Sequence, residues 1–168
     1  MKHANHVKSA TVAAVILVVA GMFAPMFASA QTATATLAVS ATVAPDCSIT
    51  ANPLAFGSYS GAVNNVSTTI AVSCSNTTGY TVGLSAGSGS GATVTNRLMT
   101  LSGGSQTLGY GLYQDSGHAT NWGNASGSWE SGTGSGSAQT LTVYGQIAAG
   151  HFPTPGSYAD SVTVTITY

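Results

Sequence analysis

From Ile70 onward the chain repeatedly sets an apolar side chain at every second position. Ile70, Val72 and Cys74 alternate with Ala71 and Ser73, Tyr80, Val82 and Leu84 follow in the same rhythm, and so do Leu108, Tyr110 and Leu112. Leu141 and Val143 begin another run, and Val162, Val164, Ile166 and Tyr168 close the chain, separated by Thr163, Thr165 and Thr167. Successive side chains of a strand point to opposite faces, so this period gives strands with one buried face, and Thr, Val, Ile and Tyr suit that setting. Shorter strands are expected over residues 54–59 and 97–101. No stretch of the mature chain carries the 3.6-residue period of a surface helix. Gly87–Gly91 (Gly-Ser-Gly-Ser-Gly) and residues 132–137 read as flexible loops, and Pro153-Thr154-Pro155-Gly156 reads as a turn before the last strand. Many short strands, no helix and two cysteines predict an all-β, immunoglobulin-like two-sheet sandwich, with an up-and-down barrel as the alternative.

Residues 32–43 keep the alternation longest. Ala33, Ala35, Leu37, Val39, Ala41 and Val43 share one face, and the stretch holds no Gly, no Pro and no charge. It reads either as a long strand outside the body or as the ordinary first strand of the sandwich. Ala44-Pro45-Asp46 separates it from Cys47. Cys47 and Cys74 are the only cysteines of the chain. In an oxidising compartment such a pair forms a disulfide, and closing that loop contributes about 3–4 kcal/mol.

The compartment follows from the start of the chain. Lys2 and Lys8 precede an apolar run from Ala10 to Phe27, and Ala28-Ser29-Ala30 has the small-residue form of a cleavage site. Residues 1–30 are therefore expected to be a signal peptide, leaving residues 31–46 as an arm with its linker and residues 47–168 as one domain. Beyond residue 30 the only Lys or Arg is Arg97, against Asp46, Asp115, Glu130 and Asp160. Phosphate recognition needs clustered cations, so no nucleic-acid partner is expected. A nearly uncharged surface repels copies of itself weakly, which suits a molecule that packs against its own kind.

Catalytic patterns are thin. Gly83-Leu84-Ser85-Ala86-Gly87 matches the nucleophile elbow, but that motif works as a strand-to-helix turn and here another loop and strand follow. His118 and His151 sit in expected loops without companions at ligand spacing. No cofactor or metal is expected, and the chain is not expected to be an enzyme. Asn65, Asn76 and Asn124 open weak N-glycosylation patterns. Trp122 and Trp129, with Tyr59 and Tyr113, allow a second reading as a carbohydrate-binding module; aromatic packing is the plainer one.

Taken in order, Asp46-Cys47-Ser48-Ile49, Phe56-Gly57-x-Tyr59, Val72-x-Cys74-x-Asn76-Thr77-Thr78-Gly79-Tyr80, Arg97-x-Met99, Leu108-x-Tyr110-x-Leu112-Tyr113-x-Asp115, Trp122-Gly123, Tyr144-Gly145-x-Ile147 and Pro155-Gly156-x-Tyr158-x-Asp160 cover nearly all of the mature chain. Together they resemble the spore coat protein U domain family, which includes pilin subunits of archaic chaperone–usher pili. The resemblance implies an incomplete sandwich that polymerises by donor-strand complementation. Its partners would be copies of itself or sibling pilins, a periplasmic chaperone and an outer-membrane usher. The donor residues would be Ala33, Ala35, Leu37, Val39, Ala41 and Val43. Val162, Val164, Ile166 and Tyr168 would form the edge of the acceptor groove. The implied destination is a cell-surface pilus serving adhesion and biofilm formation, reached by secretion through the periplasm. With one domain and an arm, a stalk unit is expected rather than a tip adhesin. A self-complemented coat protein, its arm folded into its own groove, is the remaining variant.

Overall fold

The computed structural model describes residues 29–168, so all but the last two residues of the expected signal peptide lie outside the described residues. The chain divides between Ser40 and Ala41 into two units. Residues 29–46 enter no hydrogen-bonded strand. Ala41–Tyr168 contains the nine strands found among the described residues. These are β1 (Cys47–Ala51), β2 (Asn64–Cys74), β3 (Gly79–Leu84), β4 (Arg97–Leu101), β5 (Thr107–Tyr113), β6 (Glu130–Thr133), β7 (Ala138–Ile147), β8 (Tyr158–Ala159) and β9 (Val164–Thr167).

The strands form two sheets. One is six-stranded in the order β1-β2-β7-β5-β4-β8, the other three-stranded in the order β6-β3-β9. Every pairing is antiparallel. The alternating residues meet between the sheets: Ile70 and Val72 of β2, Tyr80, Val82 and Leu84 of β3, Leu108 and Leu112 of β5, and Val143 and Ile147 of β7 are buried together. The sheets are open ones that face each other, so the architecture is a sandwich and not a barrel. Cys47 stands opposite Cys74 in the β1·β2 register, and the two are bonded.

Three local readings change. Residues 54–59 are not a strand. Pro53 brings no N–H, Gly57 takes φ +69°, and residues 53–60 make no backbone–backbone hydrogen bond among the described residues. Their side chains still turn inward, with Leu54, Phe56 and Tyr59 packing against the core. Gly145 of β7 leaves the room for this, because a Cβ there would meet Leu54 and Phe56 at about 3.0–3.1 Å. Second, the glycine-rich stretch after Glu130 is partly a strand. Gly132 lies in β6 opposite Tyr80, whose ring occupies the space a side chain would need. Third, β1 is a strand although only Cys47 and Ile49 mark its inward face.

Candidate assembly groove

The chain crosses from one sheet to the other between β8 and β9. β8 pairs with β4 at the edge of the large sheet, and β9 pairs with β3 at the edge of the small one. The crossing leaves an open groove of about 1170 Å³. Its floor is the apolar interior, including Ile70, Leu84, Leu108, Leu112 and Val143. One wall is residues 51–61 and the other is residues 151–162 with Val164. β9 is bonded to β3 on one side only, and residues 53–60 lack backbone partners. Two backbone edges without a strand partner therefore flank an apolar floor, although the Pro53 and Phe56 carbonyls accept bonds from the Thr68 hydroxyl and the Asn64 amide.

Val162 and Val164 line this groove, and Ile166 is half-buried against the core. Tyr168 is placed differently: it is 56% exposed and lies beside Tyr80 and Gly132, away from the groove. The hydrogen-bonded strand begins at Val164, two residues later than the alternation suggests, because the Thr163 backbone is bound to Ser85 instead. In the arm, Leu37, Val39 and Val43 are 86, 85 and 87% exposed, and Ala33, Ala35 and Ala41 are exposed too. Six exposed apolar positions on one alternating stretch are costly in water without a partner.

Polar groups in the lining of the groove and behind it hold its shape, and none of them was legible as such. Asp160 sits where the chain changes sheets. One of its carboxylate oxygens accepts the Ser88 N–H and hydroxyl, both at 2.7 Å, and the other accepts the Tyr110 hydroxyl at 2.7 Å. Burial works to raise the Asp160 pKa, but the bonds from Ser88, Tyr110 and Ser161 prevail and hold it below the usual carboxylate range. Burial and the bond to Asp160 push the Tyr110 phenol well above its ordinary value, so it stays a donor. Arg97 is fully buried. Its guanidinium donates to the carbonyls of Ser85 (2.9 Å), Val94 (2.8 Å), Leu84 (3.2 Å) and Trp122 (2.6 Å). Burial lowers its pKa. These four carbonyls tie the end of β3 to two loops, which fixes the small sheet beneath the groove.

The residues that looked chemically active have structural duties. The Ser85 hydroxyl accepts the N–H groups of Gly87 and Thr163. Trp122 is buried and donates its indole N–H to the Val82 carbonyl at 2.8 Å, so its ring offers no face to a sugar. His118 packs edge-on against Tyr113 at 5.2 Å. Among the described residues no group of three or more His, Cys, Asp or Glu is placed to hold a metal ion.

A model of the Spore Coat Protein U domain matches residues 33–165, from inside the arm to the middle of β9. The chain belongs to the spore coat protein U domain family. This spore coat U chain is 33% identical over 180 residues to Protein U of Myxococcus xanthus, covering 98% of this chain and 99% of that one. It is also similar to a chain in the crystal structure of the CsuC–CsuE chaperone–tip adhesion subunit pre-assembly complex from archaic chaperone–usher Csu pili of Acinetobacter baumannii. That likeness has a TM-score of 0.58 and 26% identity, and it covers 76% of this chain. The spore coat U chain spans 41% of that neighbour's length. Family and neighbour mark it as a structural protein and not an enzyme.

Proposed function

We propose that this chain is a subunit of a chaperone–usher pilus that polymerises by donor-strand complementation. One observation carries the reading: an apolar groove lies open between two unpaired backbone edges, in a chain that also has an exposed, uncharged, alternating arm. Residues 1–30 are the leader, residues 31–46 the arm and linker, and residues 47–168 the acceptor body. Ala33, Ala35, Leu37, Val39, Ala41 and Val43 of one copy fill the groove of the next, as in strand addition to a sheet edge. The arm's backbone pairs along the edge that carries Val162, Val164 and Ile166. A periplasmic chaperone occupies the groove first, and an outer-membrane usher is where the exchange takes place. The finished fibre stands on the cell surface and serves adhesion and biofilm formation. Both the family and the chaperone–subunit neighbour support this reading.

Deleting residues 31–43 tests it. The truncated body is expected to co-purify with its chaperone and to form no fibre by electron microscopy of the secreted material. Long fibres from the truncated chain would sink the proposal.

A further inference from the structure

The outer face of the large sheet, turned away from the groove, carries a row of polar groups that the fold leaves without partners. Gly111 of β5, Gln146 of β7 and Asn65 of β2 stand opposite one another across three strands. Their neighbours Leu112 and Ile147 point into the core, so these three positions point outward. Tyr113 reaches back over Gly111, where an added Cβ would meet its hydroxyl and the ring carbons beside it. Gln146 Nε2 donates to Asn65 Oδ1 at 3.0 Å, which leaves the Gln146 carbonyl oxygen and the Asn65 amide N–H groups unused. Tyr59, Tyr80, Tyr110 and Tyr158 bond their hydroxyls within the body. Among the described residues the hydroxyls of Tyr113 and Tyr144 bond nothing, and solvent reaches both. His118 stands perpendicular to these two rings, at 5.2 and 6.5 Å, and packs against them. None of Asn65, Tyr113, Tyr144 and Gln146 lines the groove.

The charge of the face decides which ligand it suits. β1, β2, β5 and β7 contain no charged residue. Asp115, in the loop after β5, turns its carboxylate to the N–H groups of Ala119 and Thr120. A phosphate or carboxylate ligand would find no cation here. A protein partner would need an apolar anchor, and the outward positions beside the row are Ser67, Thr69 and Thr142. A neutral hexose chain matches better. Its hydroxyls both donate and accept, as the phenol and the amides do, and its C–H faces pack on aromatic rings. With strands about 4.8 Å apart, Gly111 and Asn65 are separated by roughly 10 Å, the length of two linked hexopyranose rings. We propose that Tyr113, Tyr144, Gln146 and Asn65 form a shallow site for a neutral oligosaccharide on the outer face of the large sheet. The site is independent of what fills the groove, so each copy in an assembly carries one.

The test titrates the secreted, disulfide-bonded chain, in the assembled form in which it is recovered, with cellohexaose, maltohexaose and mannohexaose by calorimetry. Hexagalacturonate serves as the charged control. At least one neutral hexamer is expected to bind saturably with a Kd of about 1 mM or tighter, and hexagalacturonate about tenfold more weakly or not at all. Tyr113→Ala and Gln146→Ala are each expected to weaken that binding by about tenfold, and Tyr113→Phe, which keeps the ring, by less. Gln146→Ala removes a side chain that bonds only Asn65, so it keeps the test decisive if Tyr113→Ala fails to fold. Tyr168→Ser, at an exposed tyrosine elsewhere, is expected to bind as the native chain does. No saturable binding of any neutral hexamer up to about 10 mM would overturn the proposal. So would binding that survives both the Tyr113→Ala and Gln146→Ala changes, or hexagalacturonate bound as tightly as the neutral chains. If Gln146→Ala loosens the association of copies and no hexamer binds, the face is an interface between copies and the proposal is likewise overturned. Each of these outcomes leaves the reading of the groove and arm untouched.

Discussion

Residues 32–43 and residues 162–168 share one pattern. Both alternate small or branched apolar residues with Thr, Ser or Ala, and both lack charge, Gly and Pro. Their surroundings differ completely. In the C-terminal segment, Val162 and Val164 line the groove, Ile166 packs on the core, and the backbone is laddered to β3. In the arm the equivalent face is exposed and enters no ladder. The difference is therefore not one of strand propensity. It is whether a sheet edge and an apolar floor are available to the segment, which is a property of the surroundings.

If that contrast is right, the two segments answer differently to the same substitution. Val164→Asp buries a charge within the body. It is expected to cost on the order of 3 kcal/mol and to lower the melting temperature of the body purified with its chaperone. Leu37→Asp is expected to leave that melting temperature unchanged while abolishing fibres in electron micrographs. Equal loss of body stability from both would erase the distinction. Removing the disulfide by Cys47→Ala with Cys74→Ala should destabilise the body by about 3–4 kcal/mol in denaturant titration, since the closed loop belongs to the body alone. Leu37→Ala should weaken binding of the arm, measured with a synthetic arm peptide, by about 1.5–3 kcal/mol, or roughly 10- to 150-fold.

Asp160→Asn is a smaller effect and a pH-dependent one. The Asp160 pKa is held below the ordinary value, so its contribution is present above about pH 4 and fades as the pH falls through the lowered value. The Asn variant should flatten the acid limb of the stability curve; an unchanged limb would show that the Ser88 and Tyr110 bonds do not stabilise the crossing. Tyr168→Ser should change least, shifting stability by at most about 0.5 kcal/mol, because its ring is largely in solvent.

Much of the body was legible because period two survives in any sheet with one buried face. Ile70–Cys74, Tyr80–Leu84, Leu108–Leu112 and the strand from Leu141 fall where alternation puts them. Residues 54–59 misled because alternation reports which way side chains point and not whether the backbone finds a partner. β6 was hidden because its inward position is a glycine beneath the Tyr80 ring, a contact made across strands. The groove's supports were hidden for a related reason. Arg97 is a lone charge that composition assigns to the surface, yet four carbonyls from separate parts of the chain converge on it. Packing was the plainer reading of Trp122, and what the sequence did not show is the Val82 carbonyl that its indole N–H bonds.

By itself, then, the sequence determined the elements: strands with one apolar face, a cysteine pair, and an uncharged alternating arm behind Pro45. Those are local matters of side-chain period, backbone restriction and redox chemistry. Only the tertiary structure decided which edges stay unpaired, where the apolar floor opens and that Asn65 meets Gln146. Each of these depends on residues far apart in the chain arriving side by side, and no local pattern encodes which of two like segments gains a neighbour.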